Sequence, residues 1–98
     1  MNRHSTYEEK LAKELKKPTA ARKFLLNLME GDDGLSLIDA LKHLIRRVGI
    51  KEFSKISSIP EKSISRMLNN KSTPKLETLD KYLLPLNLKT KVSFDQVA

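Results

Sequence analysis

The sequence predicts an all-α fold, a bundle of helices followed by one short C-terminal β-strand. Three observations predict it. Apolar residues recur at spacings of three and four along most of the chain, the period of a helix with one buried face. The three glycines and three of the four prolines, Gly31, Gly34, Gly49, Pro18, Pro60 and Pro74, fall where those stretches start or stop, and Pro85 sits inside the last one. Only across residues 89–97 does the period drop to two, with Val92 and Phe94 on one side and Lys91, Ser93 and Asp95 on the other.

The elements follow in order. Thr6-Tyr7-Glu8-Glu9 fits a capping box with Thr6 as N-cap. Tyr7, Leu11 and Leu15 then make a short amphipathic helix ending near Lys17. Pro18 suits the first turn of a second helix, whose stripe is Ala21, Phe24, Leu25 and Leu28 and whose C′ residue is Gly31. Asp32-Asp33-Gly34 breaks the chain and offers an N-cap to a third helix. That helix has the cleanest pattern: Leu37, Ile38, Leu41, Leu44, Ile45 and Val48 share a face, and Gly49 stops it. Two short segments follow, residues 50–57 and 61–69, on either side of a break at 58–60. Residues 69–74 read as a loop. Leu76, Leu79, Leu83 and Leu86 define a last helix, which Pro85 ends near Leu84 because its ring clashes with the preceding turn. The expected division is residues 1–31 as an N-terminal helical extension packed on the core, 32–88 as the main domain, and 89–98 as strand and tail.

Ninety-eight residues bury one modest core and cannot enclose a large substrate cavity. With no cysteine, disulfides, thiolate metal sites and thiol catalysis are excluded. The two histidines, His4 and His43, have no paired carboxylate nearby in sequence, so neither a metal site nor a cofactor is expected, and the chain does not read as an enzyme. The first seventeen residues lack the apolar core of a leader peptide, and no apolar run can span a membrane. The expected location is the cytoplasm.

Charge is more telling. The chain has 19 basic and 12 acidic side chains, a net charge of +7. Nine of the bases (Lys42, Arg46, Arg47, Lys51, Lys55, Lys62, Arg66, Lys71 and Lys75) lie between residues 42 and 75, against only Glu52 and Glu61. That third of the chain therefore carries the whole excess, as a polyanion-binding face would. Only Phe53 among the five aromatics lies there, and it reads as core, so stacking on single strands is disfavoured and duplex DNA preferred.

Two short helices around a tight turn, with a longer helix before and after, form the arrangement of a helix-turn-helix core. Phe53 and Ile56 are expected to face inward from the first helix, Ile59 to plug the turn, and Ile64, Met67 and Leu68 to hold the second helix down. The serines at 54, 57, 58 and 63 read as turn and cap chemistry. The outer face of the second helix then holds Glu61, Lys62, Ser63, Ser65, Arg66 and Asn69. Lys62, Ser63, Arg66 and Asn69 are the candidates to read bases. Lys51, Ser65, Asn70, Lys71, Ser72 and Thr73 are the candidates to contact phosphate.

With Ile59, Ile64, Ser65, Arg66, Leu68, Pro74, Leu76, Leu79 and Leu83 in place, residues 34–88 resemble the phage-repressor-like (XRE/Cro type) helix-turn-helix family. Ser54 stands where that family has a small alanine. Ser58 stands for the turn glycine and so has to turn left-handed. Pro60 replaces a capping serine, a loss of about 1 kcal/mol. Upstream, Tyr7, Leu15, Lys16, Pro18, Ala21, Leu25, Leu28, Glu30-Gly31-Asp32 and Ala40-Leu41 are similar to addiction-module antidote (antitoxin) proteins carrying such a domain. The resemblance implies a transcriptional repressor acting as the antitoxin of a toxin–antitoxin pair. It would neutralise a small RelE/HigB-like ribonuclease toxin and repress its own operon as a homodimer on double-stranded DNA. The C-terminal segment, an open strand edge that pairing would satisfy, supplies the dimerisation candidates Leu88, Thr90, Val92 and Phe94. The N-terminal helices are left for the core flank and the toxin. Two other readings remain open at this point: a stand-alone phage or plasmid regulator without a toxin partner, and a helical adaptor whose basic face meets an acidic protein.

Overall fold

The computed structural model describes residues 3–91, with side chains from residue 9 on. Within them six helices follow one another: α1 (Arg3–Glu14), α2 (Pro18–Met29), α3 (Leu37–Val48), α4 (Ile50–Ser57), α5 (Glu61–Leu68) and α6 (Leu76–Leu83), then a 3-10 turn (Leu84–Leu86). No strand occurs among the described residues, and no helix among them is long and apolar enough to cross a membrane.

Two expected caps are corrected. α1 begins at Arg3, so Thr6 lies inside the helix and does not cap it; no proline or glycine upstream stops the helix earlier. Asp32 and Asp33 do not cap α3 either. Ser36 does, its hydroxyl accepting the Asp39 N–H at 3.2 Å. The reason is the route of the chain after α2. Gly34 N–H bonds Gly31 O at 3.1 Å and Leu35 N–H returns to Leu28 O at 2.8 Å, so the acids sit in a turn that ends before α3 begins. Gly34 is required there: a Cβ would lie 2.2 Å from the Met29 carbonyl oxygen.

α3 is the central helix. Ala40, Leu41, Leu44, Ile45 and Val48 are buried along it, with Leu37 and Ile38 packed at the edge of the core. Leu15, Ala21 and Leu25 from the N-terminal part join the same cluster as Phe53, Ile59, Ile64, Met67, Leu79, Tyr82 and Leu86. The first two helices thus share one continuous core with the rest. Phe53 and Tyr82 stack at its centre, ring centroids 5.9 Å apart and planes 23° from parallel.

Ile56 departs from expectation. It is 38% exposed, because α4 buries the stripe of Ile50, Phe53 and Ser57 and leaves Ile56 at its edge. At the other end Pro85 ends regular helix as expected: α6 stops at Leu83 and passes into the 3-10 turn. Asn87 then turns left-handed (φ 58°), and Leu88 N–H bonds Leu83 O at 3.1 Å. Residues 88–91 are irregular. The Asp80 carboxylate accepts both the Thr90 N–H (2.6 Å) and the Thr90 hydroxyl (2.7 Å), so that backbone donor serves a helix side chain, not a neighbouring strand. The remainder of the expected strand, including Val92 and Phe94, lies outside the described residues.

Candidate nucleic-acid interface

The connection between α4 and α5 is built from serines. Ser58, where a glycine would be easiest, sits at φ 61°, ψ 20° in the left-handed region. The Ser57 hydroxyl donates to Phe53 O at 2.7 Å and accepts the Ile59 N–H at 3.2 Å. The Ser54 hydroxyl donates to Ile59 O at 2.6 Å. Both backbone groups of Ile59 are therefore satisfied by side chains while its own side chain is buried, 5% exposed. Pro60, with no side-chain cap, opens α5 at φ −58°, and its carbonyl accepts Ile64 N–H at 3.1 Å. The turn holds its shape without the glycine and the capping serine.

α5 is anchored by Ile64, Met67 and Leu68, all buried. Lys62, Ser63, Arg66 and Asn69 are exposed. At 3.6 residues per turn, Lys62, Arg66 and Asn69 fall within an arc of about 60°. Ser63 borders that arc on the side of α6. Ser65 borders it on the other side and is half-buried. Lys51, on the first turn of α4, and Lys71, Ser72 and Thr73, after α5, are exposed as well.

The end of α5 is closed by a Schellman motif. Asn70 turns left-handed (φ 59°), its N–H bonds Met67 O at 3.2 Å, and Lys71 N–H bonds Arg66 O at 2.8 Å. Two cations of α3 reach this end. The Lys42 ammonium donates to the Asn70 side-chain oxygen. The Arg46 guanidinium donates to Leu68 O at 3.5 Å. Both meet the negative end of the α5 dipole. Two of the nine bases in the basic third therefore serve the fold, which a charge count could not reveal. The signal available was their spacing: Lys42 and Arg46 are four apart, one helical turn, beside the apolar stripe of α3.

One of the two acids of that third is neutralised. Glu52 pairs with Lys16 at 3.4 Å and Lys55 at 3.7 Å. Lys16, by its hydrogen bond and its charge, and then Lys55 hold the Glu52 carboxyl below the usual range. Glu61 sits on the first turn of α5, where a negative charge suits the helix dipole.

Among the described residues, α6 borders two concavities. One, of about 290 Å³, opens between α5 and the start of α6, with Ser63, Ser72, Thr73, Lys75, Thr78 and Tyr82 on its wall. The other, of about 370 Å³, is an apolar groove between α2 and α6 lined by leucines and Met29, with residues 88–91 along it. Leu26 and Leu76, half-exposed at 50% and 52%, belong to it. Of the dimerisation candidates, Leu88 and Thr90 are half-buried on this groove, and Val92 and Phe94 lie beyond the described residues. No group of acids and histidines able to hold a metal occurs among the described residues.

A family model described as "Probable addiction module antidote protein" matches residues 5–94. No curated protein and no solved structure matches the chain.

Proposed function

Because the chain belongs to the family of addiction module antidote proteins, we propose that it is the antitoxin of a toxin–antitoxin pair that binds duplex operator DNA through α5 and represses its own operon. The observation that carries the DNA part is the division of α5: an apolar side locked into the core, and an outer arc of Lys62, Ser63, Arg66 and Asn69 inside the only strongly basic third of the chain. Two eight-residue helices joined by a three-residue turn support a helix-turn-helix. In this reading Lys62, Ser63, Arg66 and Asn69 read base edges, while Lys51, Ser65, Asn70, Lys71, Ser72 and Thr73 meet phosphates on either side.

The family implies a toxin partner, and the resemblance points to a small RelE/HigB-like ribonuclease. A homodimer places two copies of α5 in successive major grooves, about 34 Å apart on a palindromic site. Leu88, Thr90, Val92 and Phe94 are its proposed contact, and α1 and α2 the proposed flank for the toxin.

Two measurements test this. Titration of the DNA upstream of the reading frame at several salt concentrations should give a log–log slope close to the number of phosphates contacted. Absence of duplex binding at low salt would sink the DNA part. Co-expression with the adjacent reading frame should bring down a complex. A free chain in that experiment, with DNA binding intact, would leave a repressor that is not an antitoxin.

A further inference from the structure

We propose that the groove between α2 and α6 receives the C-terminal segment, residues 92–97, of a second copy of this chain, and that the two copies exchange these segments. The proposal rests on the homodimer of the reading above. It adds what that reading lacks, the surface on which Val92 and Phe94 are seated.

The groove leaves apolar surface in water. Leu25, Leu79 and Leu83 belong to the core, while Leu26 on α2 and Leu76 on α6 stand 50% and 52% exposed on the same cleft. A single exposed leucine is ordinary. Two of them on the walls of one apolar cleft of about 370 Å³ mark a contact surface.

Charge selects the occupant. Lys89 and Lys91, both exposed, are the charged residues of the wall, and no carboxylate lines it. An apolar segment that carries an acid fits such a cleft, and a basic one does not. In a chain of net charge +7, residues 92–98 (Val-Ser-Phe-Asp-Gln-Val-Ala) hold three apolar side chains at Val92, Phe94 and Val97, one acid at Asp95, and no base. With an extended backbone, Val92 and Phe94 share one side and Asp95 takes the other. The first two can then enter the cleft while the carboxylate stays toward its rim, where the lysines are.

The point of departure decides whose segment enters. Residues 88–91 are fixed along α6: Leu88 N–H bonds Leu83 O at 3.1 Å, and the Asp80 carboxylate accepts the Thr90 N–H at 2.6 Å. The chain therefore leaves from the wall of its own groove. To bring its own Phe94 back into that cleft it would have to reverse at once, and residues 88–94 contain no glycine, proline, asparagine or aspartate to make the turn. Continuing extended, residues 92–97 span about 20 Å, against roughly 12 Å for the length of α6. That is enough to lie along the groove of a neighbour. A two-fold axis makes the exchange reciprocal, so each copy fills one groove and has its own filled.

The test uses the full chain. Light scattering should give twice the mass of one chain. Leu26→Glu combined with Leu76→Glu changes two half-exposed side chains, and Phe94→Ser changes none of the described core. Both should keep the circular-dichroism spectrum and weaken the dimer at least about tenfold. Because the chain has no cysteine, single thiols identify the donor of the segment. Phe94→Cys protein mixed with Leu26→Cys protein and oxidised should give a disulfide-linked pair in much higher yield than Phe94→Cys with Ile56→Cys, which is exposed but off the groove. If either surface variant stays as dimeric as the wild type, the groove assignment is wrong while the homodimer stands. If a chain carrying both thiols closes a bond within itself and the mixture forms none, the groove holds its own C-terminal segment and the inference is overturned. If the wild type is a monomer, the homodimer reading and this one fall together.

Discussion

Replacing Ile64 by alanine separates the buried side of α5 from its outer arc. Ile64 is 0% exposed. The substitution removes three carbon groups, each worth about 0.8 kcal/mol when buried, or about 2.4 kcal/mol before any cavity is counted. Incomplete collapse around the missing atoms brings the range to about 2–5 kcal/mol. A domain of this size has about 5–15 kcal/mol in total, and each kcal/mol moves Tm by about 4–8 °C. Thermal unfolding followed by circular dichroism should therefore show Tm lower by roughly 10–20 °C or more. Well below that temperature the variant should still bind duplex DNA within a few-fold of wild type, since Ile64 is fully buried and presents no surface to DNA. A variant with unchanged Tm and no DNA binding would mean that α5 is rotated by about half a turn from the placement described here, and the assignment of its faces would have to be reversed.

Three further predictions follow from neighbouring groups. Arg66→Ala should leave Tm nearly unchanged and cost about 1–3 kcal/mol on the cognate operator; an equal loss on every sequence would make Arg66 a phosphate contact instead. Ser57→Ala strands the Ile59 N–H and should cost about 1–3 kcal/mol in urea unfolding, whereas an unchanged midpoint would show that the turn does not depend on that hydroxyl. The Thr90 N–H, and then its hydroxyl, hold the Asp80 carboxyl below its ordinary value. A carboxylate depressed in the folded state contributes stability above its unfolded value and loses that contribution as pH falls through the folded one. Attachment of residues 88–91 should therefore weaken only in acid below the ordinary aspartate range. In carboxyl NMR titration Thr90→Val should move Asp80 part-way back up, and superimposable curves would refute the contact.

What could be read in advance, and what could not, follows from how many residues speak to each question. α3 was legible because six apolar residues over twelve positions fix a helical phase. The stop at Pro85 was legible because a ring clash is local. So was the left-handed Ser58, since the turn demands that conformation whatever residue occupies it. α4 has too few apolar residues to fix its phase, and Ile56 was misplaced by about 60° of arc for that reason. The two caps failed differently: Thr6 lies inside a helix that already begins at Arg3, and Asp32 sits in a turn that the returning Leu35 closes before α3 begins. The outward arc of α5 follows from periodicity, and the structure leaves Lys62, Ser63, Arg66 and Asn69 exposed on it. The pocket beside it was not legible. Its wall draws on two helices and the loop between them, and Tyr82, one of its residues, falls in an apolar stripe of α6.

The two α3 cations bear on how finely α5 can be aimed. A single tether at a helix end leaves the rod free to spin about its long axis; two tethers at separate points do not. Lys42 and Arg46 stand about 6 Å apart along α3, one holding the Asn70 side chain and the other the Leu68 carbonyl. Side-chain tips lie about 5–6 Å from the axis of a helix, so a roll of about 20° would carry each tip roughly 2 Å sideways. Hydrogen bonds tolerate only a few tenths of an ångström. In the proposed complex the fidelity of base discrimination is therefore set partly by two residues that touch no base, and loosening either one should blur the preferred sequence before it weakens the grip on DNA.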